Sequence, residues 1–204
     1  MGIKLQTFKL LDKDVFGRRI FPSPDKINPV FENEARFVYL LKGRSRLIAP
    51  DTSIEFSSGD SFIMKSGKFV NHWLEDKTIE RNEIVAVIFY PDILKYIYDD
   101  HLPPVFFTNT PVECLSAERV DQNDALDHLM KDLCFYFDHP EQLKEELIKV
   151  KMRELIYVLV NNDRSGRIKT VLGDLFKTAE HAFQEVIRKN LFQDLTLEDY
   201  AFLT

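Results

Sequence analysis

From residue 35 to residue 90 the chain alternates apolar and polar positions in short runs, and turn residues separate the runs. The runs predict strands at 36–41, 45–49, 53–56, 61–64, 69–74 and 84–90, divided by Gly43, Pro50-Asp51, Ser58-Gly59-Asp60, Ser66-Gly67 and Asp76-Lys77. Short strands punctuated this regularly favour a sandwich or small barrel. In 36–41, Phe37, Tyr39 and Leu41 alternate with Val38 and Leu40, so both faces of that strand are apolar; 84–89 reads the same way. Both strands are therefore expected to be central and covered on each side. Before them, residues 18–29 hold three prolines and little periodicity, which predicts an extended lead-in lying against a sheet.

Beyond residue 90 the period changes from two to about 3.6. Pro91 opens a short helix with Ile93, Leu94, Ile97 and Tyr98 on one side, closed by Pro103-Pro104. After Val120, Asp121 is a candidate cap for a helix carrying Leu126, Leu129, Met130, Leu133 and Phe137, stopped at His139-Pro140. A second helix, 141–160, carries Leu147, Ile148, Met152, Leu155, Ile156 and Leu159. Ile168, Val171, Leu172, Leu175 and Phe176 form a third stripe, and Ala182, Phe183, Val186, Ile187 and Leu191 a fourth. These stripes suit a helical bundle packed on the strands. The arc from Leu147 to Leu159 is wide enough that a twofold partner could cover it instead, which makes those six residues candidate dimerisation contacts.

Composition narrows the function classes. A net charge of -6 and a pI near 5.4 exclude this stretch as a phosphate-binding surface, because nucleic-acid affinity depends on Lys and Arg displacing counterions. Cys114 and Cys134 lack metal-ligand spacing and fit a reduced, cytoplasmic setting. The longest apolar run, 84–90, is far too short to span a bilayer, so no membrane partner is expected.

Gly43, Gly59 and Gly67 fall where the glycines of the two cupin barrel motifs fall, and in this the chain resembles cupins. The resemblance implies a cupin-like (jelly-roll) β-barrel followed by a bundle of amphipathic helices, an α+β fold. In metal-binding cupins two histidines and a glutamate precede the first glycine, and a third histidine follows the last by three residues. Here Arg36 stands at the glutamate position, residues 30–33 surround the histidine pair, Val70 occupies the last ligand position, and Lys65 replaces the usual proline. His72 reaches a ligand position only by shifting register, and one imidazole cannot hold a catalytic metal. No metal or other cofactor is expected. The barrel can still hold a small molecule. Tyr39, Arg46, Phe62, Met64, His72 and Trp73 are candidate ligand-binding residues, since they combine bulk with polar ends; the same side chains would serve equally as ordinary core.

The last stretch, residues 190–204, opens a helix. Thr196 and Asp199 can form its capping box, Leu195 and Tyr200 the staple, and Leu197, Tyr200, Ala201 and Thr204 an apolar stripe. Leu195, Thr196, Leu197, Glu198 and Ala201 resemble the first DNA-binding helix of AraC-type transcription regulators. With the order barrel, helices, terminal helix, the chain is similar to such regulators, and the metal-free form to the regulatory domains of type III secretion activators. The resemblance implies a non-enzymatic, homodimeric sensor of an unknown small-molecule or protein effector, with DNA contacted through a domain outside this sequence. Domains are expected at 1–111 (barrel with short helix), 112–192 (helical dimerisation and linker region) and 193–204 (start of a helix-turn-helix domain). The alternatives are a stand-alone cupin-like binding module and, less well supported, a cupin enzyme, for which the chain offers neither a metal set nor a paired acid and base.

Overall fold

The computed structural model describes residues 2–76, 78–99, 101, 103, 106 and 112–175. Twelve strands form in chain order: β1 (Lys4–Leu10), β2 (Lys13–Pro22), β3 (Asp25–Ile27), β4 (Val30–Phe31), β5 (Ala35–Lys42), β6 (Arg44–Ala49), β7 (Thr52–Ser57), β8 (Ser61–Met64), β9 (Gly67–Lys68), β10 (Val70–Trp73), β11 (Arg81–Phe89) and β12 (Ala117–Val120). They make a six-stranded sheet in the order β1-β2-β11-β5-β8-β12, a four-stranded sheet β3-β10-β6-β7 and the pair β4-β9. The helices are α1 (Pro91–Ile97), α2 (Asp124–Asp138) and α3 (Glu145–Asn162), with a fourth helical stretch, α4, described over 167–175. The class is α+β.

β5 and β11 sit side by side at the centre of the larger sheet, where their two apolar faces place them. Phe37 and Tyr39 of β5 and Val85 and Val87 of β11 point to a core shared with the helices. Val38 and Leu40, on the opposite face, pack with Leu47, Phe56, Phe62 and Trp73 in a second core between the sheets. The six-stranded sheet is thus a middle layer, and one strand contributes to both cores.

Several elements differ from the sequence reading. The lead-in at 18–29 is largely strand, because β1 and β2 form a hairpin that runs to Pro22. Its turn residues Leu11 and Asp12 both have left-handed φ, 47° and 61°, the geometry a two-residue hairpin turn needs. β12 pairs with β8 at the edge of the large sheet, so the sheet takes strands from beyond residue 111. The cap of α2 is Asn123, not Asp121: its side-chain oxygen accepts the Leu126 N–H at 2.9 Å. Asn123→Ala is expected to lower stability by about 1 kcal/mol, read as a drop in the urea midpoint with unchanged slope.

α3 starts at Glu145, after a 3-10 turn at Pro140–Gln142. Its residues Ile148, Met152, Leu155, Ile156 and Leu159 are buried within the chain, and Leu147 packs partly against the same core. α1, α2 and β1 all contact this helix, which explains why its apolar arc is wide. Ile168, Val171, Leu172 and Leu175 join the core from α4. The fourth stripe, Phe176 and the stretch 190–204 lie outside the described residues.

Candidate functional site

Alternation along the strands leaves a cleft of about 290 Å³ between the two sheets. Its walls are Val38, Leu47, Phe62, Met64, Ile84, Ala86 and Ile88, one face each of β5, β6, β8 and β11. Such a cavity, mostly apolar with a few polar groups, is the usual form of a small-molecule site.

Most of the polar groups gather at two ends. Ile84 of β11 is opposite Arg19 of β2, and Ile88 is opposite Arg36 of β5, so the two arginines mark opposite limits of the cleft. At the Arg19 end Trp73 is 2 % exposed and meets Phe21 edge to face, 4.7 Å between centroids. Its indole N–H has no hydrogen-bond partner among the described residues. Asn71 lines the cleft beside it and accepts a hydrogen bond from the Ser45 hydroxyl. Arg19 lies over the Phe21 ring and pairs with Asp25 at 3.5 Å.

At the other end the Arg36 guanidinium lies 3.9 Å from the centre of the Phe31 ring and forms an ion pair with Glu34. Tyr90 and Asp14 complete this end. Burial raises the Tyr90 phenol, and the nearby carboxylates of Glu34 and Asp14 add to the shift against the opposing charge of Arg36. One oxygen of Asp14, Oδ1, is buried and unpartnered among the described residues.

Of the six candidate ligand-binding residues, Phe62, Met64 and Trp73 meet in this cleft. The other three lie elsewhere. Tyr39 faces the helices and donates its hydroxyl to Asp127 of α2 at 2.8 Å. Arg46 stands on the outer face of the smaller sheet and pairs with Glu55 of the adjacent strand. His72 alternates with the cleft-lining Asn71 and Trp73, so it faces outward between Lys26 and Arg46. Asp14, Arg19, Asn71 and Tyr90 line the cleft without having been singled out, and Arg36 does so at the position matched to a metal-binding cupin's glutamate. Among the described residues no three His, Cys, Asp or Glu side chains lie close enough to share a metal ion.

Three polar ties join the large sheet to α2. Besides Tyr39–Asp127, the Gln6 side-chain amide donates to the Phe137 carbonyl at 2.6 Å, and Arg18 bridges Glu83 of β11 and Asp138 at 2.6 and 2.8 Å. Burial and the bond to Asp127 push the Tyr39 phenol up to about 12 from an ordinary 10.0. The native state then holds a proton that the unfolded chain releases, so stability falls as pH rises through that window. Tyr39→Phe should flatten the alkaline limb, compared by urea midpoints at about pH 9 and about pH 11. Tyr98, also pushed up to about 12 by burial, keeps part of the slope.

Other hollows are present among the described residues, including an open one past Pro24, Lys26, His72, Trp73 and Glu75. A small polar one of about 140 Å³ lies between β12 and the α3–α4 turn, where Glu118 pairs with Arg167 at 3.2 Å. A shallow apolar groove runs along the outside of α3 past Tyr98, Phe106, Val150 and Tyr157.

Residues 35–171 match the sequence model of a family described as the ExsA N-terminal regulatory domain. Among solved structures, ToxT from Vibrio cholerae superposes with a TM-score of 0.55 at 12% identity, covering 92% of this chain and 70% of that one. Wild-type ToxT of Vibrio cholerae strain SCE256 with bound unsaturated fatty acid gives 0.53 at 12% identity, covering 92% and 68%. At such identity the likeness is one of fold. The cupin domain of Schizosaccharomyces pombe Cnp3 matches at a TM-score of 0.39 and 14% identity, over 50% of this chain and 74% of that one. No curated protein sequence matches significantly.

Proposed function

Because the chain belongs to the family of ExsA N-terminal regulatory domains, we propose that it is the effector-sensing, dimerising part of an AraC-type DNA-binding transcription regulator. The observation that carries the reading is the family match, which runs from β5 into α4 and so takes in the cleft wall on β5, β6, β8, β10 and β11 and the helices tied to it. It is a regulatory domain rather than a catalyst, acting in the cytoplasm, with a jelly-roll barrel and a helical bundle as its two parts. The last strand, Ala117–Val120, belongs to the barrel part. The helices that follow form the linker region, and 193–204 begins the helix-turn-helix domain.

The sensor is the cleft. β5 and β11 present Val38, Ile84 and Ala86 to it on one face and Phe37, Tyr39, Val85 and Val87 to the helices on the other. A ligand that spreads the sheets therefore moves β5, which holds α2 at Asp127 through Tyr39, and β11, whose Glu83 is linked to Asp138 through Arg18 of β2. Cores are closely packed and transmit such displacements. The ligand shifts the regulator between states only by its difference in affinity for them. The fatty acid bound in ToxT supports an apolar chain as the kind of effector.

Self-association uses the outer face of α3. Val150 and Tyr157, seven residues apart, are 49 % and 70 % exposed and share the groove with Tyr98 and Phe106. A helix repeats its faces at that interval. The contact in this reading is on the side opposite the stripe from Ile148 to Leu159, which is buried within the chain.

The test is DNA binding by the protein encoded by the complete reading frame, followed past the codon for Thr204. Protection of paired half-sites upstream of a regulated promoter is the expected result. A protein that protects no DNA would favour the stand-alone binding module.

A further inference from the structure

Resting on the reading of the cleft as the sensor, we infer that its ligand is a linear amphiphile with a hydrogen-bond-donating, preferably cationic, head at Asp14 and an acceptor group at Trp73. The shape of the cleft comes first. From Ile84 along β11 to Tyr90 the lining runs for about 20 Å at the usual strand rise. Apolar lining over that length suits one extended alkyl chain. The walls between the ends are mostly apolar, with Val38, Phe62 and Ala86 at the waist and Thr7 of β1 in line with Ala86 through Gly17.

The ends decide the head group. At one end Arg36 is already paired with Glu34, and Lys13, beside Asp14 in sequence, pairs with Asp92. The charge left over is the Asp14 carboxylate, whose Oδ1 is buried with no donor among the described residues. That oxygen is an acceptor without a donor, and an ammonium or hydroxyl group arriving there completes a hydrogen bond. A carboxylate head would meet like charge instead. At the opposite end the unpartnered group is a donor, the Trp73 N–H, and Arg19 is paired with Asp25. A carbonyl or carboxylate oxygen fits there. The two vacant hydrogen-bonding positions are thus of opposite kind and stand at opposite ends of one apolar channel.

Trp73 is the only tryptophan in the chain, so its fluorescence reports the cleft directly. The experiment titrates the 204-residue protein with ω-aminodecanoate, decylamine and decanoate below their micelle concentrations, and repeats it with Asp14→Asn. ω-Aminodecanoate should shift Trp73 emission and bind at least about tenfold tighter than decanoate, a difference of about 1.4 kcal/mol. Decylamine should fall between them. Asp14→Asn should weaken both amines about tenfold and leave decanoate no weaker. Since Asp14→Asn could also perturb the hairpin, decanoate binding by the variant is the control for an intact cleft. Decanoate binding as tightly as the amines, or Asp14→Asn leaving amine affinity unchanged, overturns the head-group assignment while the cleft remains the sensor. If no probe moves the emission, both this inference and the small-molecule reading of the cleft fall, and the regulatory role is judged separately by DNA binding.

Discussion

Leu155→Ala is expected to destabilise the protein by about 3–4 kcal/mol while leaving the self-association of the folded protein unchanged. Leu155 is fully buried in the core that α3 shares with α1, α2 and the large sheet. Truncation there removes apolar contact and leaves a cavity that close-packed neighbours fill only in part. The residue was one of six that the sequence offers as dimer contacts, and the two roles separate cleanly. Tyr157→Ala, on the exposed side, should move stability by less than about 0.5 kcal/mol. It should also raise the dimer dissociation constant by at least about tenfold. Urea unfolding gives the first quantity and sedimentation equilibrium the second. A Leu155→Ala protein that keeps its stability and loses its dimer would reverse the assignment.

Gly43→Ala is expected to cost at least about 2 kcal/mol, a large effect for one methyl group at a turn. Gly43 joins β5 to β6 with φ at +130°, a conformation that side chains rarely adopt. A Cβ there would lie 2.4 Å from Asn82 Oδ1. Asn82 has little room to withdraw: it is fully buried at the bulge in β11 and donates to the Ser23 hydroxyl at 2.6 Å. The strain and the collision therefore add. Asn82→Ala alone should recover part of the loss in the double variant, because it removes the collision and leaves the strain; thermal melts of the four proteins give the coupling directly.

How much of this the sequence carries depends on how many faces of each element are buried. Trp73 was readable because β10 alternates and its large apolar group points inward; Phe62 and Met64 share one face of β8, whose other face sends Ile63 to the helix-side core. The same alternation puts His72 outside, since it neighbours Trp73. Tyr39 lies on a strand apolar on both faces, and periodicity cannot say which of two cores such a residue joins. Asp14, Arg19 and Arg36 escaped because charged strand residues ordinarily face water, and only the three-dimensional closure of the sheets turns them toward a cleft. The β1–β2 hairpin turns at Leu11-Asp12, which lacks the Gly or Asn that signals such a turn. β12 is four residues long and gains its place from β8, a partner more than fifty positions away. For α3 the width of the apolar arc was legible, but its cause was not. Three elements of the same chain cover it, and no local pattern distinguishes that from a second copy.

The measurement that tests the account most directly is promoter activation by the complete regulator carrying Ala86→Leu, which places three extra carbons in the waist of the cleft. The protein should melt within about 2 °C of wild type, since the space is present and the added group is apolar. Activation should nevertheless shift at least about fivefold in the absence of added effector, because the side chain stands in for the ligand on strands that hold α2. Unchanged activation, from a protein shown to carry the filled cleft by loss of probe-induced Trp73 fluorescence, would contradict the claim that the cleft governs the helices.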